Sequence, residues 1–178
     1  MTAAQALLLS GVGGAGKTTI AQAVAGLLTA EQHPTGVLDL DAVAQFGPKR
    51  AGPALHDRAA LPGLGFHDQL RVHNLAAVWA TYRDVGARFM VVSGPVDTAD
   101  ERAAYTWALE GCDVRVVRLE TAPEVIAERT RDTRGPEWDL QAALAVKHEA
   151  VQDFTVSNDR EPEATAVEVL GMVGWPGG

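Results

Sequence analysis

Eight residues, Gly11-Val-Gly-Gly-Ala-Gly-Lys-Thr18, set two glycines with four residues between them and follow them with a lysine and a threonine. Gly11, Gly16, Lys17 and Thr18 fill the fixed positions of a phosphate-binding loop. Glycine lets the backbone turn tightly and bring its N–H groups up to phosphate oxygens. Lys17 is suited to the β- and γ-phosphates of a nucleotide, and the Thr18 hydroxyl to Mg²⁺. Gly13, Gly14, Ala15 and Thr19 complete the cradle. The pattern predicts a site for a nucleoside triphosphate.

A second group of chemically capable residues follows. Asp39 and Asp41 flank Leu40 at the end of an apolar run that begins at Gly36. Residues two apart on a strand point the same way, so both carboxylates are expected on one side. Two acids beside a phosphate loop can divide the labour. One would hold a Mg²⁺-bound water and the other would take a proton from an attacking hydroxyl. Arg129, Arg131 and Arg134 form a third group, ahead of Gly135-Pro136. Guanidinium groups pair well with phosphate oxygens, although cations also suit the C-terminal end of a helix. Asn158 is open to two readings, contact with a purine edge or a helix cap.

These residues need elements to position them. The apolar run Ala6–Ser10 reads as a buried strand, and the Ala-rich stretch after the loop as a helix opening at Lys17. Strands are also expected over Gly36–Asp41, Arg88–Ser93, Val114–Leu119 and Phe154–Ser157, with helices between them. Arg115 and Arg118 place one end or face of the fourth strand near the surface. The spacing Thr121-Ala-Pro-Glu124 predicts a capping box, and Leu140–Val151 a helix. Alternating strands and helices argue for a parallel sheet covered on both faces, within a single domain spanning residues 1–178. Ligands of such sheets bind at the carboxyl ends of the strands, where the phosphate loop sits.

Between Gly47 and Phe66, four glycines and three prolines in twenty residues predict a long loop. This loop and the segment Arg129–Trp138 are expected to close over nucleotide and acceptor together, keeping water from the transferred group. The helix beginning near His67 should carry acceptor contacts. His67, Asp68, Arg71 and Asn74 are the candidates, with Arg71 and Asn74 sharing a face. His67 and His73 read as surface histidines before catalytic ones, and Trp79, a further candidate contact, as core before a stacking platform.

Composition narrows the class. The 178 residues carry a net charge of −8 and no basic run, which argues against nucleic acid or an anionic membrane surface as partner. One cysteine rules out an internal disulfide and suits a reducing cytoplasm. The first apolar run lacks a basic leader and reads as a strand, not a signal peptide.

The stretches GVGGAGKTT, LDLDAVAQFGP, VGARFMVVSG and ERTRDTRG resemble small phosphate-loop kinases of the nucleoside-monophosphate-kinase-like group, and within it the chloramphenicol phosphotransferases. That resemblance implies a five-stranded parallel sheet in the order 2-3-1-4-5 with helices on both faces and a small lid. It implies transfer of the γ-phosphate of ATP or GTP, with Mg²⁺, to a hydroxyl of a small molecule such as an antibiotic or a nucleoside-like compound. Asp41 would match the family's base, and Asp39, with Thr18, its metal side. Arg129 would match a lid arginine that stacks on the nucleotide base, and Arg131 and Arg134 those that reach the phosphates. One departure is plain. Where many such kinases carry an acid after the third strand, this chain has Ser93-Gly94-Pro95.

Other classes fit less well. A GTPase switch would need a guanine-reading Asn-Lys-x-Asp segment, and none is present. A nucleotide-binding regulator with weak or no turnover remains the alternative to a kinase, on account of Ser93.

Overall fold

Ala4–Ser10 form β1, and its inner residues Ala6 to Leu9 are wholly buried. Such a run has no polar alternation because helices cover both faces of the sheet. The computed structural model describes residues 3–47, 63–131, 135 and 138–178. In that structure β1 lies between β3 (Phe89–Ser93) and β4 (Cys112–Glu120), with β2 (Thr35–Asp39) outside β3 and β5 (Phe154–Ser157) outside β4. All pairs are parallel, in the order β2-β3-β1-β4-β5 implied by the resemblance. Register sets the functional edge: Asp39 lies opposite Ser93, Ser93 opposite Leu9, and Ser10 opposite Arg118.

Helices α1 (Lys17–Ala30) and α6 (Pro162–Val173) pack on Leu7, Leu9, Val91 and Val117. On the other face, α2 (Phe66–Asp84) and α3 (Ala99–Ala108) pack on Ala6, Leu8, Met90 and Val92. Adjacent residues of β1 thus serve opposite cores, as the period of a strand requires. The short helices α4 (Pro123–Thr130) and α5 (Leu140–Leu144) follow β4. No helix among the described residues is long and apolar enough to cross a membrane.

Three local expectations need correction. The helix over Leu140–Val151 stops at Leu144, because the following chain makes tertiary bonds instead. Glu149 N–H donates to the Asp97 carbonyl at 2.7 Å, its carboxylate accepts from Ala99 N–H, and the Val151 carbonyl accepts from Arg102. Thr121 does not cap α4. Its hydroxyl donates to the Ala15 carbonyl in the phosphate loop, and Ala122 occupies the cap position. The capping box belongs to α3, formed by Thr98 and Glu101. Finally, Arg118 is buried to 6 % exposure, paired with Asp97, whereas Arg115 does lie toward the surface beside Asp113.

Candidate active site

The loop between β1 and α1 is pressed so closely against its neighbours that side chains are excluded at Gly11 and Gly16. Gly11 has φ 141°, and a Cβ there would lie 2.7 Å from the Leu119 carbonyl oxygen. Gly16 has φ 91°, and a Cβ would lie 2.5 Å from Asn158 Nδ2. Both positions require glycine on conformational and steric grounds. Lys17 Nζ donates to the carbonyls of Gly11 and Val12, at 2.8 and 3.0 Å, which brings the ammonium back over the loop.

Neither expectation for Asn158 holds. Its side chain is buried at 2 % exposure; Nδ2 donates to the Ala15 carbonyl at 2.7 Å and Oδ1 accepts from the Thr165 hydroxyl at 3.0 Å. The cap residue of α6 is Glu161. Asn158 therefore supports the loop from beneath, tying Ala15 to α6, and is too enclosed to touch a base.

The two acids share a site by a different route from strand alternation. Strand β2 ends at Asp39, whose Oδ1 accepts the N–H groups of Asp41 and Ala42 at 2.9 and 3.2 Å. These bonds turn the chain into a single 3₁₀ turn, Ala42–Ala44, a common use of Asp at a strand end. Asp39 Oδ2 accepts from the Thr18 hydroxyl at 2.6 Å and from the Ser93 hydroxyl at 3.1 Å. Partial burial works against its charge, but the hydrogen bonds from Thr18, Ala42, Asp41 and Ser93 outweigh it and hold the carboxyl below its ordinary pKa. Ser93 thus touches the same carboxylate as Thr18. Asp41 leaves the strand and meets Arg71, with 2.8 Å between Oδ1 and Nη2.

Two cavities adjoin the loop. One, of about 450 Å³, is lined by Gly14, Gly16, Lys17, Thr18, Thr19, Asp39, Asp41 and Arg129, among others. The second, of about 300 Å³, is lined by Gly11 to Gly13, Lys17, Asp41, Arg71, Asp97 and Arg118, with Ala143 and Val146 on one side. Lys17 and Asp41 line both.

Of the acceptor candidates on α2, only Arg71 reaches this second cavity. Asp68 accepts from Arg71 at 2.6 Å and helps hold it. Asn74 donates to the Val43 carbonyl at 2.6 Å, and His67 Nδ1 lies 3.2 Å from the Ala44 carbonyl. Those three brace Arg71 and the turn instead of lining the cavity. His73 is not at the surface: it is buried against Trp107. Trp79 is core, as expected, and donates to the Glu110 carbonyl.

Arg129 lines the first cavity, and Arg131 lies exposed at the C-terminal cap of α4. Arg134 falls outside the described residues, as do the rest of 132–137 except Gly135, and residues 48–62 of the long loop. Asp97 and Arg118 are the charged lining residues that sequence reading did not place at this cavity. An arginine inside the run Val116-Val117-Arg118-Leu119 was the available signal, since a charge in a buried strand calls for a partner.

The oxygens of Thr18 and Asp39, 2.6 Å apart, form a hard donor pair of the kind Mg²⁺ prefers. Among the described residues no group of three or more His, Cys, Asp or Glu could hold a metal, so phosphates and water would have to complete its shell.

Comparison with known proteins agrees with this architecture. The family described as AAA domain matches residues 7–157. No curated protein matches the chain in sequence. Among solved structures, a sugar kinase from Janibacter sp. HTCC2649 is 22% identical with a TM-score of 0.65, over 98% of this chain and 96% of that one. The adenylylsulfate (APS) kinase of Mycobacterium tuberculosis, in complex with AMPPNP and APS, is 18% identical with a TM-score of 0.66, over 98% and 99%. A tunicamycin resistance protein from Deinococcus radiodurans is 16% identical with a TM-score of 0.61, over 97% and 96%. At these identities the likeness is one of fold.

Proposed function

Since the chain belongs to the AAA domain family, we propose that it works as a small-molecule kinase, moving the γ-phosphate of ATP or GTP to a hydroxyl group. One observation carries the reading: Lys17 and Asp41 stand at the junction of two cavities, one beside Thr18, Asp39 and Arg129, the other beside Arg71 and Arg118. Nucleotide would occupy the first and acceptor the second. The acceptor oxygen forms its bond to the γ-phosphorus as the bond to the bridging oxygen of the leaving diphosphate breaks. The hydroxyl proton passes to Asp41. Arg71 bonds one oxygen of that carboxylate, which orients it and leaves the other for the proton. Lys17, Arg129, Arg131 and Arg134 offset charge on the phosphates. Thr18 and Asp39 would hold Mg²⁺, which when bound neutralises phosphate charge. Residues 1–178 act in this reading as one kinase domain, at work in the cytoplasm where nucleotide is supplied.

The acceptor's nature rests on likeness alone. The resemblance to chloramphenicol phosphotransferases and the fold shared with a tunicamycin resistance protein favour an antibiotic or nucleoside-like compound. The test is to incubate the full chain with Mg²⁺, ATP or GTP and a panel of antibiotics, nucleosides and sugars. Diphosphate release that depends on one compound, which gains a phosphoryl group by mass, is the expected result. A second reading, a nucleotide-binding regulatory protein with little turnover, is favoured by Ser93 at the end of β3. Tight nucleotide binding with no acceptor-dependent release would establish it.

A further inference from the structure

The second cavity is walled by two guanidinium groups, and each has a carboxylate in place. Arg118 has a side chain only 7% exposed, with Nη1 3.3 Å from Asp97 Oδ1. Arg71 lies 2.8 Å from Asp41 and 2.6 Å from Asp68. Val12, Pro95, Ala143 and Val146 give the wall apolar stretches, and Lys17, whose ammonium is turned onto the Gly11 and Val12 carbonyls, lines it as well. Asp97 is firmly held: its N–H donates to Glu101 Oε2, and its carbonyl accepts from Glu149 N–H.

A buried arginine without a carboxylate would be a strong receptor for an anionic group. With Asp97 in place, an incoming carboxylate or phosphate ester would only exchange one ion pair for another. It would also sit beside Asp97 and Asp41, and like charges at close range are costly. A hydroxyl meets no such conflict, because it donates to a carboxylate and accepts from a guanidinium at once. A cavity of about 300 Å³ is at the small end of ligand sites.

We infer that the acceptor is a small uncharged hydroxyl compound with one apolar side, and that Asp97 determines this specificity by occupying Arg118. The inference rests on reading the second cavity as the acceptor site.

Calorimetric titration with D-glucitol and D-gluconate, which differ in one carboxylate, tests it on the full chain with ADP and Mg²⁺ present. Wild type should bind gluconate no more tightly than glucitol. Asp97→Asn keeps the side chain's shape and its backbone bonds, and should bind gluconate roughly tenfold or more tightly than wild type. Adding Arg118→Met should abolish that gain. The inference is overturned by a wild-type preference for gluconate, by no gain in a folded Asp97→Asn protein, or by a gain that survives Arg118→Met. If Asp97→Asn does not fold, Asp97→Ser takes its place under the same criteria. ADP affinity from the same titrations reports separately on the kinase reading. Its loss would sink that reading while leaving the gluconate comparison to judge Arg118.

Discussion

Lys17, Asp39 and Asp41 all line one cavity, and the roles proposed for them make separable predictions. Lys17→Ala removes the cation built into the phosphate loop, and kcat should fall roughly 100–1,000-fold, with weaker nucleotide binding in a direct titration. Asp41→Asn should lower turnover by roughly 10²–10⁴-fold while nucleotide affinity stays close to that of wild type. Asp39→Asn should instead raise the Mg²⁺ concentration needed for half-maximal activity. Mg²⁺ titrations of both variants distinguish the roles, and rescue of the Asp41 variant alone would reverse the assignment. Asp39 also makes a pH prediction. Its carboxyl is depressed below the ordinary 3.8, so the folded state binds its proton less readily than the unfolded chain does. Its contribution is therefore complete above about pH 4 and is lost as pH falls through the depressed value. Urea denaturation of wild type and Asp39→Asn should diverge least at low pH; a difference that grows on acidification would contradict the sign.

At the scale of elements, the phosphate loop depends on supports that come from far along the chain. Asn158 joins Ala15 to α6, and Thr121 bonds Ala15 from the segment before α4. Asn158→Ala would leave the buried Ala15 carbonyl with less support and the Thr165 hydroxyl without this acceptor, at a cost of about 1–3 kcal/mol in unfolding free energy. Because the loop itself is what loosens, nucleotide affinity should fall too. Equilibrium denaturation and nucleotide titration of the same variant check both, and unchanged affinity would show that the loop holds its shape alone. The capping box of α3 has a purely structural role by contrast. Thr98→Ala should cost about 1 kcal/mol of stability without altering nucleotide affinity.

Across the whole molecule, the loop ties the central sheet to the helical layer of α1 and α6 at several points. It connects β1 to α1, meets the Leu119 backbone of β4, and rests on Asn158, which is bonded to α6. A ligand held there should stabilise the entire fold and not one segment. With the non-hydrolysable nucleotide AMPPNP and Mg²⁺ at a hundred times Kd, unfolding free energy should rise by about 2.7 kcal/mol. Thermal melts read this directly, and Lys17→Ala should abolish most of the shift at the same ligand concentration.

Much of this architecture was legible in the sequence. Gly11, Gly16, Lys17 and Thr18 announced the phosphate loop because close phosphate contact tolerates few alternatives at those positions. Buried parallel strands must be continuously apolar, so the runs ending at Ser10 and Ser93 declared themselves, and Phe154–Ser157 forms a strand over the range expected. Local patterns carry such information because a strand or a tight turn is decided largely by near neighbours. The partners of polar side chains are decided elsewhere. Thr121 had the spacing of a cap but bonds a carbonyl 106 residues away, and Asn158 reaches back 143 residues to the same carbonyl. Arg118 looked like a surface charge until the fold brought Asp97 against it. Asp39 and Asp41 did reach one cavity, but through a turn that Asp39 itself induces. Sequence determined which residues could do chemistry and which strands would carry them. Only the tertiary structure decided which of those side chains would be spent on holding the protein together, because a hydrogen bond or ion pair across the fold leaves no local periodicity to read.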